Sequence, residues 1–122
     1  MIGYAMFGTN DLPRAAAFYD ALLGEVGIKR MMDFGRSIAW GVSWDKPALG
    51  VGLPFDGNPA TVGNGVMIAL VVDSKEKVQL LHAKALALGG TDEGAPGPRG
   101  EGFYAAYFRD LDGNKLNAFF MG

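Results

Sequence analysis

The feature that most constrains this chain is an internal repeat, which appears when the sequence is aligned with itself at a shift of 63 residues. Residues 4–27 and 67–90 each begin with a short apolar stretch typical of a strand, and each continues with apolar residues at helical spacing. The register holds over 24 positions without a gap. We therefore predict a duplicated strand–helix unit.

Each copy also carries helix boundary signals. Asn10 and Asp73 are predicted as N-caps, because their side-chain oxygens can accept hydrogen bonds from the first free amides of a helix. Gly27 and Gly90 follow the helices, where a left-handed cap is sterically cheap for glycine. The apolar helical positions are Ala15, Phe18, Tyr19 and Leu22 in the first copy and Val78, Leu81, His82 and Ala85 in the second.

Strand-like sequence follows each helix and completes a βαβββ unit. The hairpin signal is the turn Asp110–Asn114, and the Gly- and Pro-rich segment Gly94–Gly102 is predicted as a loop, either a plain connection or a lid over a ligand site. The predicted strands are Lys29–Asp33, Ser37–Trp44 and Leu49–Leu53 in the first copy and Gly90–Glu93, Phe103–Arg109 and Lys115–Met121 in the second.

The fold class that follows is α+β, with two helices on one face of a curved, largely antiparallel sheet and a concave face opposite. We predict one domain over residues 1–122, with module 1 at 1–53, a linker at 54–65 and module 2 at 66–122.

Composition excludes several classes of site and partner. The chain of 122 residues has no cysteine and one histidine, His82, which excludes thiolate sites and any site that needs several imidazoles from one chain. The formal net charge is −2 without clusters of either sign, which argues against nucleic-acid binding. No apolar run approaches the about 20 residues of a membrane span, and no signal peptide is recognisable, so we expect no membrane partner and a cytoplasmic location.

Three segments carry a resemblance to a known family. Gly8–Leu23 reads G-T-N-D-L-P-R-A-A-A-F-Y-D-A-L-L, and Phe103–Phe120 contains F-R-D-L-D-G-N-K-L. Together with Gly63–Gly90 and the βαβββ duplication, these segments resemble the glyoxalase/bleomycin-resistance/extradiol-dioxygenase superfamily, which has the vicinal oxygen chelate fold. The resemblance spans nearly the whole chain and implies a cup-shaped sheet with the helices on its outer face.

The resemblance also implies positions for a divalent metal, which the family holds in the cup with His and Glu from the first and last strands of each module. The matching positions here are Tyr4 and Gly50 in module 1 and Met67 and Asn117 in module 2. A neutral phenol, a thioether, an amide and a glycine do not suit Mg²⁺, Mn²⁺, Ni²⁺ or Zn²⁺. We therefore expect a member of the family without the metal and without another cofactor.

Other candidate residues have simpler interpretations. The repeat equates His82 with Tyr19, so a half-buried imidazole between helix and sheet is expected rather than a catalytic one. The Asp110 turn is not a calcium loop, because Met121 stands where such a loop needs its bidentate Glu. The 13 acidic residues are placed at helix starts, along or just after the first helix, and at strand ends and turns, which leaves no buried carboxylate base in the cup.

Strand alternation predicts the lining of the cup from the implied ligand positions and their neighbours two residues away. The lining is apolar and aromatic, and its hydrogen-bonding groups are a phenol and an amide. Such a lining suits a small, flat, largely hydrophobic or aromatic molecule. Trp40 of the central strand of module 1 and Arg99 of the Gly- and Pro-rich segment are added to this lining. The predicted ligand-binding residues are Tyr4, Met6, Trp40, Met67, Ala69, Arg99, Asn117 and Phe119.

Three functions stay open at this point. The first is metal-independent binding of such a molecule, the second is a metal-dependent glyoxalase-type lyase or ring-cleaving dioxygenase, and the third is a structural or interaction module with a filled cup. A homodimer is also expected, because open sheet edges need cover and because pairing of chains commonly completes the cup in the family.

Overall fold

The computed structural model describes residues 1–122 and divides into two compact units, Met1–Gly63 and Asn64–Gly122. The boundary between them falls inside the predicted linker. The first unit contains β1 (Tyr4–Gly8), α1 (Leu12–Gly24), β2 (Lys29–Asp33), β3 (Ser37–Gly41) and β4 (Ala48–Gly52). The second contains β5 (Met67–Val71), α2 (Lys75–Ala87), β6 (Thr91–Pro98), β7 (Phe103–Arg109) and β8 (Lys115–Met121). Neither helix has the length and apolar character that crossing a membrane requires.

The two units share one topology. The first sheet has the strand order β1-β4-β3-β2, and the second has the order β5-β8-β7-β6. In each sheet the first strand of the unit pairs in parallel with the last one, whereas the other neighbours are antiparallel. The predicted α+β class and the βαβββ duplication are confirmed.

Both helix caps lie one residue later than predicted. Asp11 caps α1 by accepting a hydrogen bond from the Arg14 backbone amide, and Ser74 caps α2 in the same way. The Asn10 side chain instead exchanges two hydrogen bonds with the backbone of Ala60, at 2.6 and 3.1 Å. Asp73 pairs with Lys77 at 2.9 Å.

Glycine closes both helices, although at only one of the two predicted positions. Gly27 has a φ of +77°, as expected for a left-handed residue after α1. After α2 the left-handed residue is Gly89, with a φ of +101°, rather than Gly90. Gly90 is required for a different reason, since a Cβ there would lie 2.6 Å from the carbonyl oxygen of Arg109.

The strand bounds agree with the prediction for β2, β7 and β8 and differ for the rest. The third strand ends at Gly41 instead of Trp44, because its pairing with β2 ends there. β6 continues to Pro98, well into the segment predicted as a loop, and its pairing with β7 shifts register twice. These shifts let a sequence rich in glycine and proline remain in a sheet.

The core of the first unit forms where α1 covers one face of its sheet. Trp40 is 1% exposed, and its ring lies 5.5 Å from that of Tyr19 in α1. The indole Nε1 donates to Asp20 at 2.8 Å, and Arg30 donates to the same carboxylate at 2.6 Å. Burial raises the pKa of Asp20, but the hydrogen bonds from Arg30 and Trp40 outweigh this effect and hold the pKa below its ordinary value.

The core of the second unit has His82 where the first has Tyr19. The imidazole is buried in α2, contacts the Phe108 ring at 6.5 Å between centroids, and places Nε2 2.9 Å from the Asp92 carboxylate in β6. A hydrogen bond from His82 and another from the Gly94 amide lower the pKa of Asp92. The predicted helix–sheet role of His82 is confirmed.

The turn between β7 and β8 is held by its own polar side chains. The Asp110 carboxylate accepts from the backbone amides of Asp112 and Asn114, both at 2.9 Å, and from the Asn114 side chain at 3.0 Å. These bonds confirm a hairpin turn in place of a cation loop.

We expect Asp20→Ala to lower the free energy of unfolding by about 1–3 kcal/mol, because the buried indole N–H of Trp40 loses its acceptor. Asp20→Asn keeps an oxygen for Trp40 and loses only the exposed pair with Arg30, so its cost should be smaller, about 0.2–1 kcal/mol. Urea unfolding followed by tryptophan fluorescence measures both variants.

The pH dependence of stability provides a control for the comparison of Asp20→Ala with Asp20→Asn. A carboxylate with a lowered pKa contributes stability that is present above its ordinary pKa and is lost on protonation. The advantage of the wild type over Asp20→Asn should therefore shrink as the pH falls below about 4. Equal losses in both variants at neutral pH would contradict the role assigned to the Trp40 hydrogen bond.

Candidate functional site

Strand alternation divides the sheet of the second unit into two faces. One face packs against α2, as the contact between Phe108 and His82 shows. The side chains of opposite parity point away from α2, and we call their surface the second open face. It comprises Met67, Ala69 and Val71 of β5, Lys115, Asn117, Phe119 and Met121 of β8, and Phe103, Ala105, Tyr107 and Arg109 of β7.

Four of the predicted ligand-binding residues lie together on this face. Ala69 in β5 is paired with Asn117 in β8. Met67 lies two residues before Ala69, and Phe119 lies two residues after Asn117. Met67 is 42% exposed and Ala69 is also exposed, so they do not belong to a packed core. Phe119 is partly covered by Phe103, at 5.3 Å between ring centroids.

Asn117 is the buried polar residue of the second open face. It is 2% exposed, and its Nδ2 donates to the carbonyl oxygens of Ala106 at 3.0 Å and Ala118 at 3.3 Å. These two donated bonds fix the orientation of the amide. Oδ1 accepts no hydrogen bond from the chain. Because every fully buried side-chain nitrogen or oxygen atom of this structure has a hydrogen-bond partner, Oδ1 is accessible to solvent.

Arg99, the predicted charged residue, lies beside the same face. Its guanidinium is 5.6 Å from the centroid of the Tyr107 ring, and its Nη2 donates to the Ala95 carbonyl at 2.6 Å. Lys115 approaches the same ring, with Nζ 5.5 Å from the centroid. Tyr107 therefore has two cations next to one aromatic ring.

The segment Gly94–Gly102, predicted as a loop that is either a plain connection or a lid, begins as part of a strand, since β6 runs to Pro98. Gly94 pairs with Tyr107, Gly97 pairs with Ala105, and the backbone amide of Arg99 donates to the Phe103 carbonyl at 2.7 Å. The prediction of a loop from Gly94 to Gly102 is therefore wrong for its first half, because sheet pairing with β7 satisfies the backbone there. Arg99 directly follows β6, so the pairing of β6 with β7 sets its position.

The first unit has an open face of its own, formed by the side chains that point away from α1. Tyr4 and Met6 lie on it, 72% and 55% exposed, and Met6 is paired with Gly50. A Cβ on Gly50 would lie 3.4 Å from Cγ of Met6, so the thioether side chain covers the glycine backbone. Met31 covers Gly41 in the same way. Methionine and glycine dominate this face.

Trp40 was predicted on the same side as Tyr4 and Met6, and this prediction is wrong. Trp40 packs against Tyr19 of α1, on the opposite face of the sheet. Its indole is a core group of the first unit and has no access to the open face.

One groove was not predicted at all. It has a volume of about 790 Å³ and runs beside α1 in the first unit, and none of the predicted ligand-binding residues lines it. The Asp20–Arg30 pair and Asp33 lie along it together with Leu12 and Ile38. Its polar groups are already paired within the chain, so it offers no free donor or acceptor that we can assign to a ligand.

Two of the acidic residues that were predicted at strand ends and turns lie inside a strand. Asp92 and Glu93 belong to β6, because this strand is longer than predicted. Asp92 is bound to His82, and Glu93 accepts from Arg109 at 2.6 Å. Each carboxylate has a partner, which makes neither of them an evident proton acceptor for a substrate.

The residues present do not fit the divalent metal of the fold family. No three His, Cys, Asp or Glu side chains lie close enough together to hold a metal ion. His82 faces the core of the second unit, and Gly50 contributes no side chain to the first open face. Tyr4, Met67 and Asn117 supply a neutral phenol, a thioether and an amide, which are poor ligands for hard or borderline cations.

Sequence reasoning missed Tyr107, Lys115 and Phe103 on the second open face. Alternation contained the signal, since Lys115 stands two residues before Asn117 on the same strand. For Tyr107 the signal required the pairing of β7 with β8, which sets Tyr107 opposite Asn117.

Comparisons with known proteins agree with the fold. The model of the Glyoxalase/Bleomycin resistance protein/Dioxygenase superfamily matches residues 1–118. The structure is similar to that of a glyoxalase/bleomycin resistance protein from Albidiferax ferrireducens T118, with 37% identity and a TM-score of 0.92 over 100% of this chain and 99% of the other. No curated protein matches the chain.

Two more distant structures show how widely the fold is shared. A hypothetical protein from S. aureus has 26% identity and a TM-score of 0.75, with 98% and 92% of the two chains covered. A lactoylglutathione lyase from Agrobacterium tumefaciens has 21% identity and a TM-score of 0.72, with the same coverage, and shows likeness of fold alone.

We expect Met67→Trp to change the free energy of unfolding by less than about 0.5 kcal/mol, because Met67 lies on an exposed edge strand. Ala118→Leu is the matched control on the same sheet, since Ala118 is fully buried under α2, and overpacking there should cost about 1–3 kcal/mol. Urea unfolding distinguishes the two. A comparable loss in Met67→Trp would show that the second open face is packed core.

Proposed function

The chain belongs to the glyoxalase/bleomycin resistance protein/dioxygenase superfamily, and on that basis we propose that it binds a small, planar, largely apolar molecule without the help of a metal. One observation carries this proposal: the second open face presents exposed apolar and half-buried aromatic side chains around the Asn117 amide oxygen, which accepts no hydrogen bond from the chain.

The apolar part of this surface supports a planar ligand. Phe119 and Phe103 lie with their rings 5.3 Å apart and tilted by 30°, and a further aromatic ring gains by stacking on such a pair. Met67 adds a flexible, polarizable side chain at the edge, which adapts to ligands of different shape. Ala69, on the same edge strand, is small and exposed and leaves the space beside Asn117 open.

The polar part supports orientation of the ligand rather than a reaction. Asn117 is held by two backbone carbonyls and can accept one further hydrogen bond from a bound molecule. Neither Asp92 nor Glu93 is available as a base, since each is paired within the chain. The face therefore has the groups for binding, and we assign no catalytic residue to it.

A metal-dependent lyase or a ring-cleaving dioxygenase is the alternative that family membership raises. Its support is the likeness of fold to the lactoylglutathione lyase. The donor set argues against it, because no cluster of anionic or imidazole ligands exists in the chain. A structural module with covered faces is a third possibility, and the exposure of Met67 and Val71 argues against covered faces within this chain.

We also propose that the protein is a homodimer. The edge strands β1 and β5 are each hydrogen-bonded on one side only. They carry large exposed apolar side chains, among them Tyr4 and Val71, each 72% exposed. An edge strand of this kind pairs readily with another chain unless it is covered, and a second copy supplies the cover.

Planar aromatic fragments should shift the NMR signals of the Ala69 and Ala105 methyl groups, and the same shifts should appear with EDTA present. Added Ni²⁺, Zn²⁺ or Mn²⁺ should leave the melting temperature unchanged, whereas a tight metal site would add about 2.7 kcal/mol at 100 times its dissociation constant. Binding that requires a metal, or a metal-dependent rise of several degrees, would favour the lyase or dioxygenase.

Sedimentation velocity at about 50 μM should give the mass of two chains, since an interface of standard size holds subunits together in this range. A single species with the mass of one chain across that range would refute the dimer.

A further inference from the structure

We propose that the second open face selects an organic anion, a planar aromatic carboxylate, whose charged group binds Arg99 and Lys115 and whose ring lies against Phe119. This inference rests on the proposed function and deepens it, since it names the chemical class of the molecule bound at the same surface.

Two cations on this face have no carboxylate partner. Arg99 and Lys115 each lie within 5.6 Å of the Tyr107 ring centroid, and neither forms a salt bridge with any acidic residue of the chain. Arg109, the next cation on the face, differs because Glu93 neutralises it at 2.6 Å. The face therefore has two unmatched positive charges, although the whole chain has a net charge of −2.

The position of Arg99 is set by the backbone around it. Nη2 donates to the Ala95 carbonyl at 2.6 Å, and a Cβ on Gly97 would lie 3.1 Å from Nη1. A Cβ on Gly94 would lie 3.3 Å from Nη2. The two glycines thus leave room for the guanidinium beside the sheet, and the carbonyl holds it there without cancelling its charge.

Tyr107 holds the cations near the place where a ligand ring would lie. Its ring attracts both of them through its negative face, which keeps two like charges on one side of the sheet. Tyr107 is paired with Asn117, which stands two residues from Phe119 on β8. The cationic end and the aromatic end of the face are therefore adjacent positions of one strand pair.

Asn117 adds a requirement for the ligand. Its Oδ1 accepts no hydrogen bond within the chain although the residue is 2% exposed, and its orientation is fixed by the bonds of Nδ2. A ligand that covers this oxygen without donating to it would bury an unpaired acceptor, which is unfavourable. We infer a hydroxyl or N–H group on the aromatic acid.

Three probes of nearly equal shape and different charge test the charge selection: benzoate, benzamide and benzamidine. Protein-observed NMR titration should give the tightest binding for benzoate and the weakest for benzamidine, with shifts at the Ala69 and Ala105 methyls. Raising the salt concentration should weaken the binding of benzoate and leave the binding of benzamide unchanged, because salt screens only the interaction between charges.

Arg99→Gln and Lys115→Gln should each weaken benzoate about 2- to 5-fold, as expected for an exposed ion pair, and leave benzamide unchanged. Lys46→Gln is the matched control. It removes one positive charge from an exposed turn of the first unit and should not change the binding of any of the three probes.

The donor requirement is tested on the wild type, so that it does not depend on a buried variant that fails to fold. 3-Hydroxybenzoate or 4-hydroxybenzoate should bind more tightly than its methoxy counterpart. In Asn117→Leu, if the variant folds, this difference should disappear. Equal binding of both hydroxy acids and their methoxy counterparts to the wild type would overturn the role given to Asn117.

The outcomes separate this inference from the proposed function. If benzamide binds at the second open face as tightly as benzoate, the anion selection is wrong and the binding of planar molecules stands. If none of the probes shifts this face, both fail. If benzoate is preferred but Lys46→Gln weakens it as much as Arg99→Gln does, the preference reflects total charge and the assignment to Arg99 is overturned.

Discussion

Each unit of this protein depends on the burial of one helix against one face of a four-stranded sheet. Tyr19 packs on Trp40 and His82 packs on Phe108, and the repeat relates Tyr19 to His82. Because side chains alternate along a strand, once the helix covers one face of the sheet, every second residue of each strand lies on the opposite face. The open faces, with whatever chemistry they carry, are a consequence of this packing.

The two open faces have diverged although their backbones repeat. The first is built largely of methionine over glycine, as with Met6 on Gly50, and its polar side chains are Tyr4, Ser37 and Lys29. The second carries an amide, paired aromatic rings and two cations without carboxylate partners. Duplication thus preserved the hydrogen-bonded frame, which needs only apolar side chains under the helix, and left the outward residues free to change.

The positions that the resemblance equates with the family's metal ligands carry groups of a different kind in this chain. A glycine removes a ligand altogether, and a thioether or a neutral amide keeps the volume of the position without a charge to stabilise a cation. Asn117 illustrates the result. Its nitrogen is used by the backbone of its own sheet, and its oxygen remains able to accept a single hydrogen bond. One amide oxygen is suited to orienting an organic molecule, as we propose, and no cluster of carboxylates or imidazoles lies beside it to complete a metal site.

The sequence by itself determined the order of elements, the duplication and the family, because periodicity, turn residues and motifs are local properties of the chain. It also determined that Asn117 and Phe119 share a face, since alternation within one strand requires no knowledge of the partner strand. That Ala69 lies on the same face follows from the pairing of β5 with β8. Tertiary structure decided the rest. The choice of Asp11 over Asn10 as a cap follows from a contact of Asn10 with Ala60, 50 residues away.

The misplacement of Trp40 and the omission of Tyr107 have the same physical cause. A strand with apolar residues on both faces does not reveal which face its helix will cover, so the sequence left the parity of Trp40 undecided and packing against Tyr19 settled it. Tyr107 and Lys115 are neighbours only through the register between β7 and β8, which depends on hydrogen bonds between distant segments. The sequence determined which residues were available for a site, and the pairing of strands decided which of them meet.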